Sequence, residues 1–247
     1  MRTVALLHGV GLDPSMWAPV GTLLHDHGLT VVTPTLLGHG TNRHLAAGST
    51  LDDLVDDVAS HLESATHIVG FSLGALVAQR LAISRPDLVA TLTSVSSVFD
   101  RSPTEREAVL RRLAMASRDF PSAASAAIDR WFPEDAAGRR RIPDDQVGDV
   151  QAVLLANHLG SYLAAYRIFA TADADLFPQL SSIQVPALAV TGGLDPGSTA
   201  RMTRGLARTI PSCRPVIVAG AHHMVPLERP RQLADLIIDL IKEHEHA

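Results

Sequence analysis

The stretch His67-Ile68-Val69-Gly70-Phe71-Ser72-Leu73-Gly74-Ala75-Leu76 decides the reading of this chain. Residues 67–69 form a short apolar run of the kind a buried strand shows, and residues 73–84 read as a buried helix. Arg85-Pro86 ends that helix, because the residue before a proline is pushed out of helical backbone. Between strand and helix stands Gly70-x-Ser72-x-Gly74. So sharp a turn strains its central residue, and glycine on either side lets neighbouring chain approach closely. The serine hydroxyl is then free at the carboxyl edge of a sheet, beside the N–H groups that open the helix.

A serine hydroxyl is a poor nucleophile near neutral pH and needs a base, which itself needs an orienting acid. Both can be sought downstream at the same edge. Thr191-Gly192-Gly193-Leu194-Asp195-Pro196 follows the apolar run 186–190, and Ala219-Gly220-Ala221-His222-His223-Met224 follows the run 215–218. The chain order is therefore Ser, Asp, His. At this level His222 and His223 are equally placed.

Further out, the runs 3–7, 30–33 and 89–95 complete a set of six expected strands separated by helical patterns, the signature of a parallel sheet covered by helices. Leu51, Leu54, Val55, Val58 and Leu62 repeat at helical spacing, with Asp52, Asp53, Asp56 and Asp57 on the opposite, solvated face. The alternation stops near Val98. Residues 100–170 hold helical patterns and several breakers but no strand, and the rhythm resumes near Pro186. The expected organisation is an α/β core of residues 1–99 and 171–247, interrupted by a helical cap over residues 100–170. Ser72 precedes the interruption while Asp195 and the histidines follow it, so both flanks must build one catalytic domain.

Composition narrows the function. The net charge of -5, with no block of like charge, speaks against a nucleic-acid partner. No apolar segment approaches a membrane span, and Met1–Gly11 lacks the apolar stretch of a signal peptide, so no membrane partner and a cytoplasmic location are expected. The lone Cys213 cannot form an internal disulfide, which fits that compartment. The arginines between 101 and 141 are interspersed with acids and read as mostly solvated surface.

The chain resembles the α/β-hydrolase fold superfamily over nearly its whole length. The likeness rests on His8-Gly9-Val10-Gly11 after the first strand, Gly38-His39-Gly40 after the second, the turn at Ser72, the loop at Asp195, and the histidine loop ending in Glu228-Arg229-Pro230. The resemblance implies a mostly parallel sheet, here without the N-terminal hairpin many members carry. It implies Ser72 as nucleophile, Asp195 as acid and, by the spacing to Glu228 and Pro230, His223 as base. It also implies an oxyanion hole built from the N–H groups of Val10 and Leu73, with His8 a hydrogen-bonded structural residue.

Within the superfamily the chain is most similar to the 3-oxoadipate enol-lactonase-like group. Arg130-Trp131-Phe132, Tyr162-Leu163-Ala164-Ala165-Tyr166 and Ala78-Gln79-Arg80-Leu81-Ala82 carry that likeness. Leu37 stands where that group has an arginine, so the likeness supports a lid over a small ester or lactone rather than the group's own substrate. The expected activity is serine hydrolysis of a carboxylic ester, lactone or thioester through an acyl-enzyme, with no cofactor and no metal. Trp131, Phe132 and Tyr162 are the candidate pocket residues, and the partner is a small-molecule substrate; a homodimer stays open. Two alternatives remain: a carbon-carbon bond hydrolase or lyase, and a ligand-binding, receptor-like homologue. The only lysine, Lys242, lies near the end of the last expected helix, which disfavours the lysine-dependent hydroxynitrile lyases.

Overall fold

The computed structural model describes residues 2–42 and 44–244. The six apolar runs pair as strands, and helices fill most of the chain between them. The first half holds β1 (Thr3–Leu7), α1 (Ala18–Asp26), β2 (Thr30–Val32), α2 (Leu51–Ala59), β3 (Thr66–Phe71), α3 (Leu73–Ser84) and β4 (Val89–Val95). Four consecutive helices follow: α4 (Pro103–Arg118), α5 (Phe120–Trp131), α6 (Asp144–Leu155) and α7 (Leu159–Thr171). The chain returns through α8 (Asp173–Leu176), β5 (Ala187–Gly192), α9 (Ala200–Thr209), β6 (Cys213–Val218), α10 (Val225–Glu228) and α11 (Pro230–Glu243).

The strands lie in the order β2-β1-β3-β4-β5-β6, and every pairing is parallel. Parallel pairing puts all six carboxyl ends on one edge, so the segments after β1, β3, β4, β5 and β6 gather there. Strand β3 runs past the apolar stretch read from sequence because its ladder with β4 continues through Gly70↔Ser94 and Phe71↔Val95. Strands β1, β3 and β5 are almost wholly buried, as a sheet covered on both faces requires.

Helix α3 packs on β3 and β4, and α1 packs on α11. Gln79 of α3 fixes the first contact, donating to the hydroxyls of Ser94 and Ser97 at 3.0 Å each. The helices from α4 to α7 pack mainly on one another. A buried ion pair joins the two ends of this helical segment: Arg101 meets Asp173 at 2.7 Å with both side chains almost inaccessible. Losing one partner of such a pair leaves an uncompensated charge, a loss of about 3 to 5 kcal/mol.

Glycine is required where β1, β3 and α3 converge. A Cβ on Gly74 would strike the carbonyl oxygens of Leu7 and His8, the latter at 2.6 Å, and one on Gly70 would strike the Gly74 carbonyl. Backbone cannot yield as a side-chain tip can. Gly74→Ala is therefore expected to lower stability by about 3 kcal/mol in urea unfolding; an unchanged midpoint would contradict this packing.

Candidate active site

Ser72 sits where β3 passes into α3 with φ 54° and ψ −110°, outside the conformations a serine normally adopts. Two backbone bonds hold it there: its N–H donates to the Val95 carbonyl at 2.9 Å, and its carbonyl accepts the Ala75 N–H at 3.1 Å. Leu73, the first helical residue, has no intrahelical acceptor for its N–H. The segment His8-Gly9-Val10 lies alongside. A Cβ on Gly9 would come within 2.9 Å of the Phe71 ring and 3.3 Å of the Ser72 Cβ, and Val10 lines the same cavity as Ser72.

Asp195 follows β5 in a short turn that its own side chain closes. Oδ1 accepts the N–H of Gly197 at 2.8 Å and of Ser198 at 3.0 Å, while Oδ2 faces His223 Nδ1 at 2.7 Å. Burial pushes this carboxyl up, but the charge and hydrogen bond of His223 and the two N–H donors outweigh it and hold the group below the usual carboxylate range. An ionised Asp195 fixes the His223 proton on Nδ1 and leaves Nε2 as the acceptor nitrogen. Two aromatics lie near the ring, Phe71 at 5.0 Å between centroids and the stacked indole of Trp131 at 6.0 Å.

The two histidines left equal by local pattern separate here. His222 turns to Glu228, whose carboxylate accepts the His222 N–H with both oxygens at 3.0 Å, while His223 faces Asp195. From the other side the Ser96 hydroxyl donates to the His223 carbonyl at 2.9 Å. Ser96 itself has φ 48°. Gly192 lets the loop cross the end of β5, since a Cβ there would strike the carbonyls of Ala221 and His222. Ser96, Gly192, Gly197 and Ser198 carry no motif that singles them out, although Asp-Pro-Gly-Ser is a recognisable side-chain-closed turn.

The model of the alpha/beta hydrolase family matches residues 4–236. The chain belongs to that family. It is 30% identical over 234 residues to (E)-2-((N-methylformamido)methylene)succinate hydrolase of Acinetobacter baylyi, an alignment covering 93% of this chain and 86% of that protein. It is 28% identical to the pimeloyl-[acyl-carrier protein] methyl ester esterase of Aromatoleum aromaticum, over 97% of this chain and 98% of that one. Among solved structures it is similar to the enol-lactonase of Burkholderia xenovorans, with TM-score 0.86, 25% identity and coverage of 98% and 91% of the two chains. The fold and family foreseen from sequence are those observed, and the relatives are hydrolases.

In this alpha/beta hydrolase, Ser72, Asp195, His223 and Val10 line one cavity of about 120 Å³, and Trp131 forms part of its wall. Phe132 and Tyr162 do not line it. Tyr162 packs instead on Phe120 and Tyr166 and fills the space left by the missing side chain of Gly11. Tyr166 and Phe169, one helical turn and two turns further along α7, line the cavity in its place. The arginines also depart from the expectation of a solvated surface. Arg101 is buried, and Arg112 and Arg130 reach the cavity with it. Among the described residues no group of three or more His, Cys, Asp or Glu side chains could hold a metal ion, and no helix is long and apolar enough to cross a membrane.

His8 is structural in its bonding. Its Nδ1 meets the Gly9 carbonyl at 2.9 Å and its Nε2 accepts the Leu36 N–H at 3.0 Å, so the neutral ring is fully used. Burial, then the neighbouring His39, lower its pKa to about 3, and burial lowers that of His39 to about 4. Unfolded histidine titrates near 6.5, so as pH falls below that value the unfolded chain takes up protons that the folded one refuses. Stability is then lost at up to about 1.4 kcal/mol per pH unit for each ring. Urea unfolding between pH 6.5 and 5 should show this fall, above the range of most carboxylates; a flat profile there would contradict it.

Proposed function

We propose that this chain is a serine hydrolase that cleaves a small carboxylic ester, lactone or thioester through an acyl-enzyme. The observation that carries the reading is the Asp195–His223 bond at 2.7 Å in the same cavity as a strained, helix-opening Ser72. His223 Nε2 takes the Ser72 proton as Oγ attacks the acyl carbon, and Asp195 stabilises the imidazolium that results. The N–H groups of Val10 and Leu73 receive the negative oxygen of the tetrahedral intermediate, each donor being worth about 3 to 4 kcal/mol in other enzymes. His223 then returns the proton to the departing oxygen or sulfur. Water, activated by the same nitrogen, releases the acid and restores Ser72.

The helices from α4 to α7 serve as a cap. Trp131, Tyr166 and Phe169 supply the apolar wall, and the small cavity suits a compact acyl group. Ester-cleaving and lactone-cleaving relatives support the bond class, since one is named a methyl ester esterase and another an enol-lactonase. The reading places the protein in the cytoplasm, in keeping with its single free thiol.

Two substitutions test it. Ser72→Ala is expected to abolish hydrolysis of p-nitrophenyl butyrate, and Asp195→Asn to lower kcat on the order of 10³- to 10⁴-fold by freeing the His223 tautomer. Turnover by Ser72→Ala at more than about a hundredth of the wild-type rate would exclude Ser72 as the nucleophile.

A further inference from the structure

The Val10 N–H borders the cavity that holds Ser72, and among the described residues it donates to no group of the chain. Its direction is set at the other end of the same peptide. In a trans peptide the C=O and N–H point opposite ways, so whatever holds the Gly9 carbonyl aims the Val10 N–H. That carbonyl accepts the Leu12 N–H at 3.2 Å and meets His8 Nδ1 at 2.9 Å. The Leu12 N–H is itself one end of the peptide whose other end, the Gly11 carbonyl, accepts from Asn157 Nδ2 at 2.8 Å. Two hydrogen bonds through two peptide planes thus connect the Asn157 side chain to the Val10 N–H.

Asn157 stands in the turn between α6 and α7 and does not line the cavity. Its Nδ2 also lies 3.0 Å from the Val153 and Leu154 carbonyls, in the last turn of α6. An amide turned the other way would set its oxygen against three carbonyl oxygens, so the nitrogen side decides the orientation. Asn157 keeps it although its Oδ1 is buried without a hydrogen-bond partner. Gly11 has φ 74°, and Leu154 and Tyr162 fill the space where its side chain would be, so α6 and α7 meet the loop directly. Among the described residues no other side chain bonds to the backbone of residues 10–12.

Resting on the Ser72 reading, we propose that Asn157 is a positioning residue for the oxyanion hole, fixing from the helical segment the loop that aims the Val10 N–H. A donor stabilises the tetrahedral oxygen only when it points at the place where that oxygen forms, and one free to swing loses the advantage of preorganisation. Linked hydrogen bonds also polarise one another, so the Asn157 N–H strengthens the Val10 N–H as a donor as well as steadying it. The helices from α4 to α7 thereby act on the acyl-transfer step itself, in addition to walling the cavity.

Asn157→Ser tests this, because a serine hydroxyl can still bond back to the last carbonyls of α6 but is too short to reach Gly11. Ser161→Ala is the control. The Ser161 hydroxyl ties α7 to the Leu45 N–H at 3.2 Å, so its loss loosens the same helix end without touching residues 9–12. With p-nitrophenyl butyrate, Asn157→Ser should lower kcat about tenfold or more and leave KM within about twofold, whereas Ser161→Ala should leave both within about twofold. Butyl trifluoromethyl ketone reads the hole directly. Ser72 Oγ bonds its carbonyl carbon, the carbonyl electron pair moves onto the oxygen that enters the hole, and the serine proton passes to His223. Its affinity should fall with kcat in Asn157→Ser and hold in Ser161→Ala. Amide hydrogen exchange over residues 9–12 should quicken in Asn157→Ser and not in Ser161→Ala. Asn157→Asp, of the same shape without N–H donors, should act at least as strongly and decides the matter if Asn157→Ser does not fold. A rise in KM at unchanged kcat, unchanged exchange over the loop, or an equal loss of kcat in Ser161→Ala overturns the proposal and leaves the Ser72 reading intact. Faster loop exchange in Asn157→Ser together with no ketone binding by the wild type removes the Ser72 reading and the oxyanion role with it.

Discussion

A serine held at φ 54° on the turn between β3 and α3 is the constraint on which the rest of this structure depends. A backbone conformation that serine avoids in isolation costs about 1 to 3 kcal/mol and persists only where the surroundings over-determine it. Here they do. The Ser72 N–H is bound to the end of β4 and its carbonyl to the first turn of α3. Gly70 and Gly74 remove the side chains that would otherwise separate β1, β3 and α3. The same close approach brings Gly9 and Val10 against the serine, so strain, helix N-terminus and neighbouring N–H groups arise from one packing solution.

The second half of the site is assembled by contacts between parts of the chain far apart in sequence. Asp195 and His223 end adjacent strands, and their loops cross where Gly192 leaves room. The histidine loop is then clamped from two sides, by Glu228 on the His222 N–H and by Ser96 on the His223 carbonyl. Phe71 and Trp131 lie near the ring, one from the core and one from the helical segment. That segment therefore contributes both a wall and a charge pattern, and its two ends are tied by Arg101 and Asp173.

How much of this was legible in the sequence follows from how local each signal is. The six strands could be read because a covered parallel sheet needs continuous apolar runs, and the turn at Ser72 because glycine at both flanks has a steric reason within five residues. The choice of His223 over His222 drew on resemblance, since both residues follow the same strand and only the contacts with Asp195 and Glu228 separate them. Phe132 and Tyr162 were misplaced for a related reason. Helical spacing in α7 marks a stripe, Tyr162, Tyr166 and Phe169, but not which turn of it faces the cavity. The arginines were hardest to place: Arg101 and Asp173 lie 72 positions apart, and alternating charge on α4 and α5 looks the same whether a helix faces water or a cavity.

The central claim is that Ser72 Oγ forms the covalent bond to the acyl group. The most direct test is to treat the folded wild-type protein with a fluorophosphonate, digest it, and locate the adduct by tandem mass spectrometry. The account predicts a single adduct, on Ser72, absent from Ser72→Ala. Failure of the folded wild type to label, or an adduct on another residue that persists in Ser72→Ala, would contradict it.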